Sequence, residues 1–129
     1  MEFISAREFS NQPKEVQEVF FKWANDNGQD YDLVQDNGEI MLYKDFIERA
    51  RIEFDSYPLF TESQLRKFIE DKTNGKVESY YAWDYYTIAI RDTGCGGDDP
   101  QCDTEETDLL QAYWKVACEI AKESVENGL

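Results

Sequence analysis

Apolar residues recur along this chain at two periods, and the switches between them mark its elements. Ser5-Ala6-Arg7-Glu8 has the form of a capping box, with Ile4 and Phe9 placed as the hydrophobic staple around it. A short helical turn is expected there. Pro13 suits the first position of a new helix, and Val16, Val19, Phe20 and Trp23 follow at helical spacing, which predicts a helix from Pro13 to Ala24. The run Asn25-Asp26-Asn27-Gly28-Gln29-Asp30 is turn chemistry and is expected to end it.

The period then changes. Tyr31–Val34 and Glu39–Tyr43 flank an Asn37-Gly38 step, a strong short-range hairpin signal. From Lys44 to Phe54 both periods fit, and length favours a helical turn followed by an extended segment into Pro58. Thr61-Glu62-Ser63-Gln64 is a second capping box, opening a helix with Leu65, Phe68 and Ile69 on one side and Asn74-Gly75 as its stop. Between Lys76 and Arg91 β-branched and aromatic residues dominate, predicting a second hairpin that turns near Trp83-Asp84. Thr93–Pro100 reads as a loop. Asp103 or Thr104 is expected to cap the last helix, on which Leu109, Leu110, Tyr113, Trp114, Ala117, Ile120 and Ala121 trace a long stripe, closed by Asn127-Gly128. The expected fold is a single α+β domain over residues 1–129, an antiparallel sheet of two hairpins with three helices packed on it in the order α-ββ-α-ββ-α.

Composition narrows the function. A chain of 129 residues with 41% hydrophobic side chains can build a core, yet 28 Asp and Glu against 13 Lys and Arg leave a formal charge of −15. Such a surface repels phosphate and anionic lipid, so neither direct nucleic-acid binding nor membrane binding is expected. With no basic stretch and apolar run at Met1–Ser5, and no apolar stretch of spanning length, a cytoplasmic protein is expected. The absence of His removes the commonest general base and metal ligand.

Chemistry has few footholds. Cys95, Cys102 and Cys118 read as free thiols; Cys95 and Cys102 are near enough for a local disulfide or half a zinc site, but a closed site would need carboxylate ligands. Cys118 lies within the last amphipathic helix with no His to activate it. Gly94-Cys95-Gly96-Gly97 lacks the parts of a phosphate loop, and Asp98, Asp99, Asp103 and Glu106 do not follow the calcium-loop spacing. No enzyme activity, no cofactor and no metal are therefore expected.

Two surfaces remain as candidates. Asp98, Asp99, Asp103, Glu105, Glu106 and Asp108 make six of the eleven residues from Asp98 to Asp108 acidic, a density that suits a basic partner as well as it suits solubility. Tyr80, Tyr81, Trp83, Tyr85 and Tyr86 cannot all face one side of a hairpin. One set is expected in the core and the other on a partly exposed face for a stacked ligand or a protein partner.

Three stretches carry a resemblance: Glu8–Trp23 (EFSNQPKEVQEVFFKW), Pro58–Asp71 (PLFTESQLRKFIED) with Lys72–Lys76, and Asp108–Lys122 (DLLQAYWKVACEIAK). Together they resemble small uncharacterised acidic proteins of phages and prophages of clostridia and related Firmicutes, with Tyr31–Tyr57 and Thr93–Thr107 as the variable regions. The resemblance implies an accessory protein acting in the host bacterial cytoplasm, and brings no activity or catalytic residue with it. By analogy of context and charge, it implies an inhibitor of a basic host defence or nucleic-acid-handling protein, of anti-CRISPR or anti-restriction type, with carboxylates standing where phosphates would sit. Two alternatives stay open. One is a sponge for a nucleotide signal, stacking the base on the aromatic hairpin with Arg91 or Lys76 at the phosphate; the other is a structural or regulatory phage protein.

Overall fold

The computed structural model describes residues 2–48, 50–53, 55–91 and 100–127, and among these the chain is α+β with five helices and six strands in two antiparallel three-stranded sheets. The chain divides into two compact units: residues 3–60 with 121–127, and Glu2 with Thr61–Ile120.

The first unit begins with α1 (Ala6–Ser10), started by the expected box: the Ser5 Oγ accepts from the Glu8 N–H at 3.1 Å and Glu8 Oε2 accepts from the Ser5 N–H at 3.0 Å. α2 (Lys14–Asn27) starts one residue later than the sequence suggests, because Pro13 is extended and only its carbonyl joins the helix, accepting from the Gln17 N–H. It also runs past Ala24, its last turn held by the Asn27 amide on the Trp23 carbonyl and by a Lys22–Asp26 pair. β1 (Leu33–Asp36) and β2 (Glu39–Leu42) form the expected hairpin, with Asn37 at φ 52° and Gly38 at φ 81°, both in the left-handed region a tight two-residue turn requires.

A turn of helix, α3 (Tyr43–Ile47), leads back to β3 (Ser56–Pro58), which pairs with the other edge of β1 and completes the sheet in the order β2-β1-β3. Aromatic rings build the core. Phe9 is fully buried, with ring centroids of Phe21, Phe20, Tyr57 and Phe60 at 5.4, 5.7, 5.8 and 6.2 Å. Asn25 clamps the segment that precedes β3 by using both ends of its amide on the Ile52 backbone, at 2.9 and 3.0 Å.

The second unit holds α4 (Glu62–Thr73), where Gln64 reaches back to the Thr61 N–H at 2.8 Å and Asn74 ends the helix at φ 56°. β4 (Lys76–Ala82), β5 (Tyr85–Arg91) and β6 (Gln101–Asp103) form the sheet, and α5 (Leu109–Glu126) follows. Leu65, Phe68 and Ile69 of α4, Val77, Ile88 and Ile90 of the sheet, and Tyr113 and Ala117 of α5 are buried.

Two expectations need correction. The hairpins do not join into one sheet with three helices on it; each recruits its own short third strand, and α1 and α3 add two helices of five residues each. Nor does Asp103 or Thr104 cap α5, since Asp103 belongs to β6 and the Asp108 carboxylate accepts from the Gln111 N–H at 3.0 Å. Pairing with β5 takes the earlier residues into the sheet first.

Candidate functional site

The aromatic hairpin turns where expected, with Trp83 at a position poorly suited to it. Ala82 faces Tyr85 across the closing pair, leaving Trp83 at φ 58° and Asp84 at φ 67°. A non-glycine residue in the left-handed region costs roughly 1–2 kcal/mol. The Trp83 side chain gains no burial in return, being 87% exposed.

The expected inward set of aromatics is absent. Tyr80 is 40% and Tyr81 55% exposed, and Tyr85 and Tyr86 are only half-buried, so none of the five belongs to the core. The reason lies in β5, where Thr87-Ile88-Ala89-Ile90 is buried on both faces and supplies the sheet's interior without help from the tyrosines. That continuous short run was the sequence signal for a strand covered on both sides. Pleating sorts the aromatics: Tyr81 and Tyr86 are directly opposed and meet edge to face at 5.1 Å, while Tyr80 and Tyr85 lie on the other face.

The acidic segment lies beside this hairpin. Asp103 pairs with Thr87, which pairs with Tyr80, so one row across three strands reads Tyr80, Thr87, Asp103, and the Thr87 hydroxyl donates to Asp103 Oδ1 at 3.0 Å. Thr104, fully buried, fastens the chain that follows. Its N–H and hydroxyl both donate to the Tyr86 carbonyl, at 3.1 and 2.6 Å, and its own carbonyl accepts from Lys115 Nζ at 2.7 Å. The Glu106 carbonyl in turn accepts from the Tyr86 N–H at 2.9 Å. Glu105 stands between them at φ 62°, exposed. Of the acidic segment, Asp103, Glu105 and Glu106 border the strand that carries Tyr85 and Tyr86. Asp108 is exposed but engaged as the α5 cap; Asp98 and Asp99 lie outside the described residues.

Cations sit at the far end of the hairpin. Arg91 Nε is paired to Glu78 Oε2 at 3.0 Å, and Arg91 and Lys76 are opposite each other six residues from the tip, roughly 20 Å at strand rise. A mononucleotide stacked at Trp83 cannot place its phosphate on either.

Burial favours the protonated thiol at both described cysteines. Burial pushes the Cys118 thiol far above its usual 9.0 with Glu119 adding to the rise, and burial also raises Cys102 against the opposing pull of Lys115. Both are free, and Cys95 lies outside the described residues, as does any pairing or zinc half-site involving it. Among the described residues no three Cys, Asp or Glu side chains are grouped to hold a metal ion, and no helix is long and apolar enough to cross a membrane. A shallow open depression lies at the start of α4, lined by Glu2, Thr61, Glu62, Ser63 and Leu110. Its carboxylates and the capping box leave little to attract an anion. No family model, no curated protein and no solved structure matches the chain.

Proposed function

We propose that the protein is a phage-encoded accessory protein that binds a basic surface of a host defence or nucleic-acid-handling protein and inhibits it by occupying that surface. One observation carries this reading: the exposed carboxylates of Asp103 and Glu105 and the half-buried one of Glu106 border the aromatic hairpin, whose Tyr80, Tyr81 and Trp83 are exposed, giving a surface with both a charge signature and hydrophobic anchors. Carboxylates steer a basic partner and order its approach, and exposed Trp and Tyr supply the contacts that usually dominate binding energy. Arg is the natural counterpart of both, since its guanidinium pairs with carboxylates and stacks on aromatic faces. The −15 charge, otherwise a source of self-repulsion, serves such an encounter.

The test is inhibition of the captured host protein by wild type and by the triple variant D103N/E105Q/E106Q. Asn at position 103 retains an acceptor for Thr87, and Asp108 is left intact because it caps α5. A loss of potency of at least ~10-fold, with a shallower salt dependence, is expected. Equal potency and equal salt dependence would overturn the charge-based mechanism.

A further inference from the structure

Strand β4 is an edge of its sheet, and its backbone is only half protected. Val77 fixes the phase, because its N–H donates to Glu70 Oε2 at 2.9 Å and its carbonyl accepts from Arg66 Nη2 at 3.1 Å. Both side chains come from α4, so the backbone groups of Val77 face away from β5. Alternation turns those of Ser79 and Tyr81 the same way. Among the described residues, neither has a hydrogen-bond partner on that side. The stretch Ser79–Ala82 also lacks the charge, proline or bulge with which exposed edges are commonly blunted. Half of this edge is sealed by the protein's own side chains, and the half next to the aromatic tip is open.

We propose that this open half-edge accepts an extended, arginine-bearing segment of the partner protein as a fourth strand, an inference that rests on the basic-partner reading above and names its binding mode. Backbone bonds to Ser79 and Tyr81 would supply affinity that does not depend on side-chain identity, and alternate side chains of the added strand would fall beside Tyr81 on one face and Tyr80 on the other. Charge selects the occupant. A second copy of this chain would bring an equal negative charge to the edge, whereas an arginine-bearing strand meets Tyr80, Trp83, Asp84 and Glu78. Among the described residues Glu78 is held by an exposed pair with Arg91, a bond weak enough to be exchanged.

The probe is an eight-residue peptide alternating Arg and Val, compared with the same peptide N-methylated at alternate residues, which keeps the charge and removes backbone donors. Backbone amide exchange is followed in the full chain. The unmethylated peptide is expected to slow exchange at Ser79 and Tyr81 by at least ~10-fold and to bind at least ~10-fold tighter than the methylated one. Ser79→Pro, which removes an N–H that β5 does not use, is expected to weaken the peptide similarly. Absence of protection at Ser79 and Tyr81, or equal affinity of the two peptides, overturns strand addition; both readouts use the wild-type chain and hold even if Ser79→Pro fails to fold. Inhibition that depends on Asp103, Glu105 and Glu106 but not on Ser79 would leave the basic-partner reading standing and remove this one. Protection at the edge with no carboxylate dependence would do the reverse.

Discussion

The two hairpins of this protein share a plan and differ in what they do with it. Each closes through two left-handed residues and each gains a short third strand, β3 in one unit and β6 in the other. In the first, Asn37-Gly38 occupies the turn, the residues that reach this conformation most readily, and in that unit Phe20, Phe21 and Phe60 are gathered inside around Phe9. In the second, Trp83 and Asp84 take the same conformation and the aromatic side chains of the hairpin itself lie outside the core. The first hairpin is chosen for folding. The second puts Trp83 in the left-handed region at the point where its largest side chain meets solvent.

If the Phe9 cluster folds its unit while the tip of the second hairpin serves contact, removing an aromatic from each must have opposite consequences. Phe9→Ala, which empties the centre of a four-ring cluster, is expected to destabilise the protein by about 3–5 kcal/mol in chemical denaturation. Trp83→Ala is expected to leave stability within about 0.5 kcal/mol, as for exposed sites generally. Comparable losses from the two substitutions would break the contrast.

Gly28 gives the next largest effect. It is not a turn glycine, for its φ is an ordinary −60°; it is glycine because a Cβ there would lie 2.4 Å from the Tyr43 ring. Tyr43 is buried and donates its hydroxyl to the Asn25 carbonyl at 3.3 Å, so the ring has little room to withdraw. Gly28→Ala is expected to cost about 1–3 kcal/mol as overpacking. Tyr43→Leu in the same chain should recover part of that loss, measured by the midpoint of urea unfolding.

The turn itself can be exchanged between hairpins. Replacing Trp83-Asp84 by the Asn-Gly found at positions 37–38 (W83N/D84G) relieves strain at both residues, and is expected to stabilise the free protein by about 1 kcal/mol or somewhat more while reducing partner capture at least ~10-fold. A variant that is more stable and binds equally well would show that Trp83 is not displayed for a partner.

What the sequence made legible was local. The boxes at Ser5 and Thr61, the Asn37-Gly38 turn, the left-handed Asn74 stop and the stripe of α5 are each settled by residues within a few positions of one another. The pairings not read, including that of the expected extended segment into Pro58, depend on distant partners. β3 and β6 are three residues each, too short to show a period, and exist because β1 and β5 offer them an edge. Asn25 reads as turn chemistry until Ile52, 27 residues away, is brought against its amide. The candidate site was half legible: both surfaces were visible as clusters in sequence, but their junction at Tyr86, Thr104 and Glu106 is made by nonlocal backbone bonds with no sequence signature.

The smallest expected effect compares the units at high pH, where each has a group that burial holds protonated. Cys118 is raised from its usual 9.0, mainly by burial, and Tyr43 from 10.0, again mainly by burial, with Arg51 opposing and Asp32 and Asp26 adding to the rise. A raised pKa in the folded state means that the unfolded chain loses its proton first, so this contribution is intact below the unfolded value and declines as pH climbs through it. Cys118→Ala is therefore expected to show a flatter stability profile than wild type from about pH 9 upward and no change in slope between pH 6 and 8, whereas Tyr43→Phe should flatten the profile only above about pH 10. Urea midpoints at half-unit pH intervals separate the two. Parallel profiles for wild type and Cys118→Ala through pH 10 would mean that the thiol titrates alike in both states, and that the interior face of α5 is open to water at that position.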